Sequence, residues 1–178
     1  MIDAQRVLIV LPVRLGSTRL PQKALLDQTG IPLVVHAAQQ ATLSKYADQI
    51  VIAGDADEIR RAVTPFGFDY AETGVHHTSG SSRCAEVLDT HPADIVVNVQ
   101  GDEPTINPKD IKKVINTKKK FPNHVVCGYD KVHDFENPSS INLPKVVVNS
   151  KGELIYISRA LVPGKKKSSQ NILQISDW

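Results

Sequence analysis

Three cationic side chains follow the first apolar run of the chain within ten residues of one another. The run Val7–Leu11 is succeeded by Arg14, Arg19 and Lys23, and Ser17 lies between them. Arginine presents a planar fork of N–H donors and lysine a point charge, and both bind phosphate oxygens. Hydroxyl groups and main-chain amides of such a loop add neutral donors. The spacing therefore predicts a polyphosphate site, with a solvated surface loop as the plain alternative.

The position of this basic loop favours the phosphate site. A short, continuous apolar run such as Val7–Leu11 is typical of a strand buried on both faces, and open parallel sheets bind ligands beyond the carboxyl ends of their strands. The two familiar phosphate motifs, GxxxxGK[ST] and GxGxxG, are both absent. Without the glycine fingerprint, a plain NAD-dependent dehydrogenase is not expected.

A carboxylate follows a later apolar run in the same way. Asp102 lies in the segment NVQGDEP, directly after Ile95–Val99. Beside a cationic phosphate loop, a carboxylate at a strand end is expected to hold Mg²⁺, which takes oxygen ligands from one or two carboxylates and from substrate phosphates. The alternative is an ordinary turn stabilised by these residue types.

Apolar periodicity predicts the elements that position these residues. Strands are predicted at Val7–Leu11, Gln49–Ala53, Asp69–Glu72, Ile95–Val99 and Val125–Tyr129, and helices at Pro32–Leu43, from an Asp57 cap to Phe66, around Cys84–Leu88 and from Pro108 onward. Alternation of strands and helices predicts a parallel sheet covered by helices on both faces. Two later apolar runs around Asn149–Gly152 predict a hairpin.

Length and composition limit the classes of protein to which this chain is expected to belong. The 178 residues suit a single domain over 1–178, with Gly164–Trp178 expected to be flexible or unmatched. A formal net charge of +2 gives no reason to expect a nucleic-acid partner, and no apolar stretch is long enough to cross a membrane. Cys84 and Cys127 are isolated, so both are expected to be core residues of a protein in the reducing cytoplasm.

The basic loop and the segment after it, PVRLGSTRLPQKALLDQTGIPLVVHA, resemble the opening of the cytidylyltransferases that activate 3-deoxy-manno-octulosonate (Kdo), a sugar acid of bacterial lipopolysaccharide. The matching positions are Arg14, Ser17, Arg19, Pro21 and Lys23, and the departures are Val13, Gln22, Ala24 and Ile31. The resemblance implies that the matching basic residues hold the phosphates of CTP.

Two further motifs carry the resemblance. NVQGDEP matches the family residue for residue, which implies that Asp102 binds Mg²⁺ and that Gln100 lies near the sugar acid. HTSGSSR resembles the family's His-x-Ser-Gly-Thr-Asp/Glu-Arg, which implies that Ser79, Gly80 and Arg83 help to bind the nucleotide. Ser82 stands where the family has an acid.

Two weaker matches complete the candidate site. Ala53, Gly54 and Asp55 resemble an Ala-Thr-Asp segment that lies close to the cytosine in the family, although an ordinary strand-to-helix turn fits nearly as well. Tyr-Ile-Ser-Arg, ending at Arg159, resembles a Tyr-Phe-Ser-Arg segment, and Arg159 suits the carboxylate of the acceptor. The alternative for Arg159 is a solvent-facing arginine at the end of a hairpin strand.

The resemblance implies a three-layer, Rossmann-like α/β nucleotidyltransferase with a mostly parallel sheet and a C-terminal β-hairpin. It also implies transfer of CMP from CTP to Kdo with release of pyrophosphate, and a homodimer. The family's later segments are missing here, including its second Mg²⁺-binding aspartate, and Asp177 does not match that context. The alternatives are a cytidylyltransferase for 8-amino-Kdo or a sialic-acid-like acceptor, and a non-catalytic remnant that binds CTP.

Overall fold

The computed structural model describes residues 5–16 and 20–164. The described residues form two compact units, one up to residue 126 and the other from residue 127 onward. The single nucleotidyltransferase domain predicted over residues 1–178 stays a prediction, since a compact unit and a domain need not coincide. Most of the segment predicted to be flexible or unmatched, from residue 165 onward, lies outside the described residues.

The first unit is built on a four-stranded parallel sheet with strand order β3-β2-β1-β4. The strands are β1 (Val7–Pro12), β2 (Gln49–Gly54), β3 (Asp69–Glu72) and β4 (Ile95–Asn98). The α-helices are α1 (Leu33–Thr42), α2 (Asp57–Val63), α3 (Gly80–Val87) and α4 (Pro108–Lys120), with short 3₁₀ turns at Lys23–Leu25 and Thr64–Phe66. Because every strand is parallel, all four carboxyl ends lie at one edge of the sheet.

Strand β1 is buried on both faces of this sheet. Successive side chains of a strand point to opposite faces, so Ile9 and Leu11 join the core that α1, α2 and α4 supply. Leu8 and Val10 join a second core beneath α3. The predicted three-layer α/β fold is therefore confirmed in this unit.

Helix ends explain where two of these elements begin. The side chain of Ser79 accepts a hydrogen bond from the Ser82 amide at 3.1 Å and caps α3. Asn107 caps α4 in the same way, and Pro108 occupies the first turn, where its missing N–H costs nothing. Asp57 was predicted as a cap and is instead the first residue of α2, where its carboxylate pairs with Arg60 and Arg61 one turn on.

The second unit contains an antiparallel hairpin of β5 (Lys145–Val148) and β6 (Leu154–Ser158). The connecting turn uses Asn149 and Gly152, and Gly152 has a φ of 78°, a backbone conformation that glycine adopts without strain. The Asn149 carboxamide oxygen accepts hydrogen bonds from the amides of Lys151 and Glu153, at 2.9 Å each. The predicted C-terminal hairpin is confirmed.

The strand predicted at Val125–Tyr129 is wrong, because the structure assigns no strand to these residues. Val125 is 98% exposed and Tyr129 62% exposed, so these two apolar side chains cover no core. The prediction that both cysteines lie in the core holds for Cys84, which is buried, and is wrong for Cys127, which is exposed.

Candidate active site

The basic loop and the aspartate after β4 meet at the carboxyl edge of the sheet. The Nζ atom of Lys23 lies 2.6 Å from Oδ2 of Asp102, and both side chains are nearly half exposed. Lys23 begins the 3₁₀ turn after the loop, while Asp102 follows β4. Two side chains predicted separately, for phosphate and for metal, are therefore in direct contact, with water able to reach both.

The turn that carries Asp102 depends on a close approach at Gly101. Gly101 is buried, and a Cβ atom added there would lie 2.4 Å from Cγ1 of Val13. The amide of Glu103 donates to the carbonyl of Gln100 at 3.1 Å and closes the turn. Only glycine fits without a shift of Val13, so this residue holds the end of β4 against the start of the basic loop.

A buried ion pair supports the start of that loop. The Nη2 atom of Arg83 lies 3.0 Å from Oδ2 of Asp55, and Arg83 is 3% exposed. The other oxygen of Asp55 accepts a hydrogen bond from the amide of Leu15 at 3.0 Å. Asp55 therefore ties the basic loop after β1 to α3, and both carboxylate oxygens are engaged.

Thr73 completes this buried network and was missed in the sequence analysis. Its hydroxyl accepts a hydrogen bond from Nη1 of Arg83 and donates to the carbonyl of Gly54 at 2.9 Å. No motif or spacing marks a single threonine after a short strand. Arg83 was predicted to bind nucleotide; in the structure its guanidinium is turned inward to Thr73 and Asp55.

The small residues at the end of β2 are enclosed by protein. Ala53 and Gly54 are buried. An added Cβ on Gly54 would lie 3.0 Å from side-chain atoms of Ile59 and Tyr70, so a larger residue here would require these side chains to shift. Burial also raises the pKa of the Tyr70 phenol, whose hydroxyl donates to the Ala56 carbonyl at 3.0 Å. The predicted contact of Ala53 and Gly54 with cytosine stays a prediction.

The start of α3 lies beside the ends of β1 and β4. An added Cβ on Gly80 would lie 3.0 Å from Cγ of Pro12 and 3.5 Å from Nδ2 of Asn98. Asn98 in turn accepts a hydrogen bond from the exposed carboxamide of Gln100 at 3.1 Å. Ser79, Gly80 and Gln100 are thus gathered at the same edge of the sheet as Asp102.

The remaining predicted residues are placed as follows. Arg14 is exposed at the start of the basic loop. Ser17 and Arg19 lie outside the described residues. Arg159 belongs to the second unit, where it is exposed and its Nη1 atom donates to the Ile141 carbonyl at 3.1 Å. Buried Lys145 donates to the carbonyls of Ser140 and Arg159, at 2.8 and 2.6 Å, and so fixes the backbone that carries Arg159.

Comparison with known proteins identifies the family. The family model described as Cytidylyltransferase matches residues 8–176. A 3-deoxy-manno-octulosonate cytidylyltransferase of a Nitratiruptor species is 34% identical over 171 residues, which cover 93% of this chain and 71% of that protein. This chain belongs to the 3-deoxy-manno-octulosonate cytidylyltransferase family.

Further relatives agree with this membership in the cytidylyltransferase family. The protein of the same name from Neisseria gonorrhoeae is 40% identical over 158 residues, which cover 87% of this chain and 62% of that protein. A solved structure of CMP:2-keto-3-deoxy-manno-octonic acid synthetase, complexed with CTP, superposes with a TM-score of 0.80 at 31% identity. The superposition covers 93% of this chain and 69% of the chain in that structure. The chain thus spans about two thirds of the length of these relatives.

The residue before Lys23 departs from the family's usual sequence. Gln22, which replaces the family's usual glycine, has a φ of 52°, the left-handed region that favours glycine. The backbone before Lys23 therefore keeps a glycine-like conformation with a non-glycine residue.

In the described part of the chain, no helix is both long and apolar enough to cross a membrane.

Proposed function

We propose that this chain transfers CMP from CTP to 3-deoxy-manno-octulosonate and releases pyrophosphate. The observation that carries the proposal is the contact of Lys23 with Asp102 at the carboxyl edge of a parallel sheet, in a chain of this family. The relatives named above bear the name of this activity, and the solved structure with a TM-score of 0.80 is described as a CTP complex.

Charge neutralisation is the main task that the proposal gives to the basic loop. In-line attack by the sugar's anomeric hydroxyl on the α-phosphorus builds charge on the phosphates while pyrophosphate leaves, and two anions must be held together throughout. Arg14 and Lys23 would bind phosphate oxygens, together with Arg19. An exposed ion pair is worth only about 0–1 kcal/mol, so Lys23 can exchange Asp102 for a phosphate oxygen at little cost.

Asp102 would hold the divalent metal, for which we propose Mg²⁺. Its half-exposed carboxylate offers oxygen ligands, the type Mg²⁺ prefers, and one carboxylate with substrate phosphates is a common ligand set. A bound Mg²⁺ supplies Lewis-acid polarisation and orientation of a phosphate. Gln100 would orient the acceptor. The role of Arg159 toward the carboxylate of the acceptor stays a prediction from the sequence.

The other nucleotide contacts in the proposal come from Ser17, Ser79 and Gly80. Asp55 and Arg83 would not contact the nucleotide. Their buried ion pair would instead position the basic loop, because Asp55 also accepts the hydrogen bond of the Leu15 amide at its start. We also infer the homodimer of the family, supported by the exposed apolar side chains of residues 154–157 in β6.

Pyrophosphate release from CTP, measured with Kdo and Mg²⁺, tests this function. We expect release that requires both the sugar acid and the metal. Parallel reactions with 8-amino-Kdo and a sialic acid identify the acceptor, and faster release with either would overturn the assignment to Kdo. CTP binding without release under any of these conditions would show a non-catalytic nucleotide-binding protein instead.

A further inference from the structure

A second group of ligand-bearing side chains lies between β3 and α3 and on α3 itself. A ring nitrogen of His76, a ring nitrogen of His77 and a carboxylate oxygen of Glu86 all lie within 4.8 Å of one another. None of the roles proposed above for nucleotide, Mg²⁺ or acceptor uses these side chains. Two imidazoles with one carboxylate form a ligand set found at zinc sites that keep a position open for a further ligand.

The carboxylate of Glu86 is held in place by two neighbours. The His77 ring hydrogen-bonds to it through Nε2, and the amide of Gly74 donates to its two oxygens at 3.0 and 3.3 Å. These contacts orient the carboxylate of Glu86 beside the His77 ring.

The position of the His76 ring depends on the absence of a side chain at Gly74. A Cβ atom added to Gly74 would lie 2.3 Å from both Cε1 and Nδ1 of His76. The ring thus folds back over the glycine and lies beside that of His77, with 4.4 Å between the ring centroids and an interplanar angle of 37°. His76 is exposed, so an ion from solution can reach the group.

The chemistry of the three ligands selects the metal. Imidazole nitrogen suits Zn²⁺, Cu²⁺ and Ni²⁺, whereas Mg²⁺ prefers oxygen ligands. We propose that His76, His77 and Glu86 bind one first-row transition-metal ion, Zn²⁺ in the first place, at a site separate from the Mg²⁺ site at Asp102. The ion ties the segment after β3 to the body of α3.

Calorimetric titration of the full chain with Zn²⁺ tests the site, in a Cys127→Ser background because an exposed thiolate also binds zinc. We expect one ion per chain at this site. His76→Ala removes an exposed side chain, and Glu86→Gln keeps an oxygen acceptor for the Gly74 amide, so both variants are expected to fold. Each should weaken Zn²⁺ binding roughly tenfold or more, the smallest loss usual for a disturbed metal site.

His124→Ala is the matched control, because His124 is another exposed histidine of the first unit. It should bind Zn²⁺ as the parent does, and a millimolar excess of Mg²⁺ should not compete. Substitution by Co²⁺ should give visible absorption bands that are lost in His76→Ala. Equal Zn²⁺ affinity of the parent and His76→Ala, or displacement of Zn²⁺ by Mg²⁺, would overturn the proposal.

Discussion

Lys23 is the residue whose contact carries the proposed function. Its Nζ atom lies 2.6 Å from Asp102, a residue 79 positions away along the chain. The sequence predicts both residue types at strand ends, but no local pattern predicts that these two side chains touch. The contact depends on the pairing of β1 with β4 and on the close approach at Gly101, which are features of the folded chain.

We predict that Lys23→Ala lowers the turnover number by roughly 10²–10³, the usual loss for one electrostatic stabiliser of a transition state. The rate of pyrophosphate release at saturating CTP measures this. Lys113→Ala is the matched control. Lys113 forms an exposed ion pair with Asp110 on α4, and neither residue has a role in the proposed reaction. Equal rates for Lys23→Ala and the control would remove Lys23 from the mechanism.

The two cysteines should differ sharply in reactivity. Burial raises the pKa of the Cys84 thiol to about 11, so at pH 8 it stays protonated and shielded, whereas Cys127 is exposed. We predict that iodoacetamide labels Cys127 in the folded chain and labels both cysteines in urea. Peptide mass spectrometry measures the label at each position. Labelling of Cys84 at the rate of Cys127 in the folded chain would contradict its placement in the core beneath α3.

Among the elements, the turn after β4 decides where Asp102 lies. We predict that Gly101→Ala lowers the free energy of unfolding by about 1–3 kcal/mol, the usual cost of overpacking, because the new Cβ meets Val13. Urea denaturation measures this. Gly128→Ala is the control, because nothing lies within 4 Å of an added Cβ there. A Gly101→Ala midpoint equal to that of Gly128→Ala would contradict the close approach.

The buried ion pair of Asp55, after β2, with Arg83 of α3 should contribute more to the free energy of unfolding than any surface ion pair. We predict that Asp55→Ala lowers the free energy of unfolding by about 3–5 kcal/mol, because it leaves the Arg83 guanidinium buried without its partner. Asp110→Ala, which breaks the exposed pair with Lys113, should cost less than about 1 kcal/mol. The same urea measurements distinguish them, and similar midpoints would refute a structural role for Asp55.

Apolar periodicity predicted most of the helices and strands, because the side chains at their apolar positions are the ones that are buried. The continuous run of β1 is buried on both faces, and Ile111 and Ile115 face the core from α4. The same rule failed at Val125–Tyr129, an apolar run that pairs with no strand of the first unit's sheet. Whether an apolar run forms a strand depends on a neighbour with which it pairs, and local sequence does not supply that information.

At the scale of the whole molecule, the parallel sheet explains why separate motifs form one candidate site. Segments that begin at residues 13, 55, 73 and 99 all leave the sheet at one edge, because the four strands run in the same direction. The alternation of strands and helices predicted this edge. It did not predict that Arg83 and Thr73 would be buried beneath it, since that follows from how α3 packs on the sheet.

Binding of CTP in the presence and absence of Mg²⁺ tests the central claim most directly. Calorimetry should show that the unchanged chain binds CTP more tightly with Mg²⁺ than without it. Asp102→Asn should lose this difference, because an amide is a weaker metal ligand than a carboxylate, whereas Asp110→Asn should keep it. An Asp102→Asn variant that binds CTP with undiminished dependence on Mg²⁺ would contradict a metal site at the end of β4.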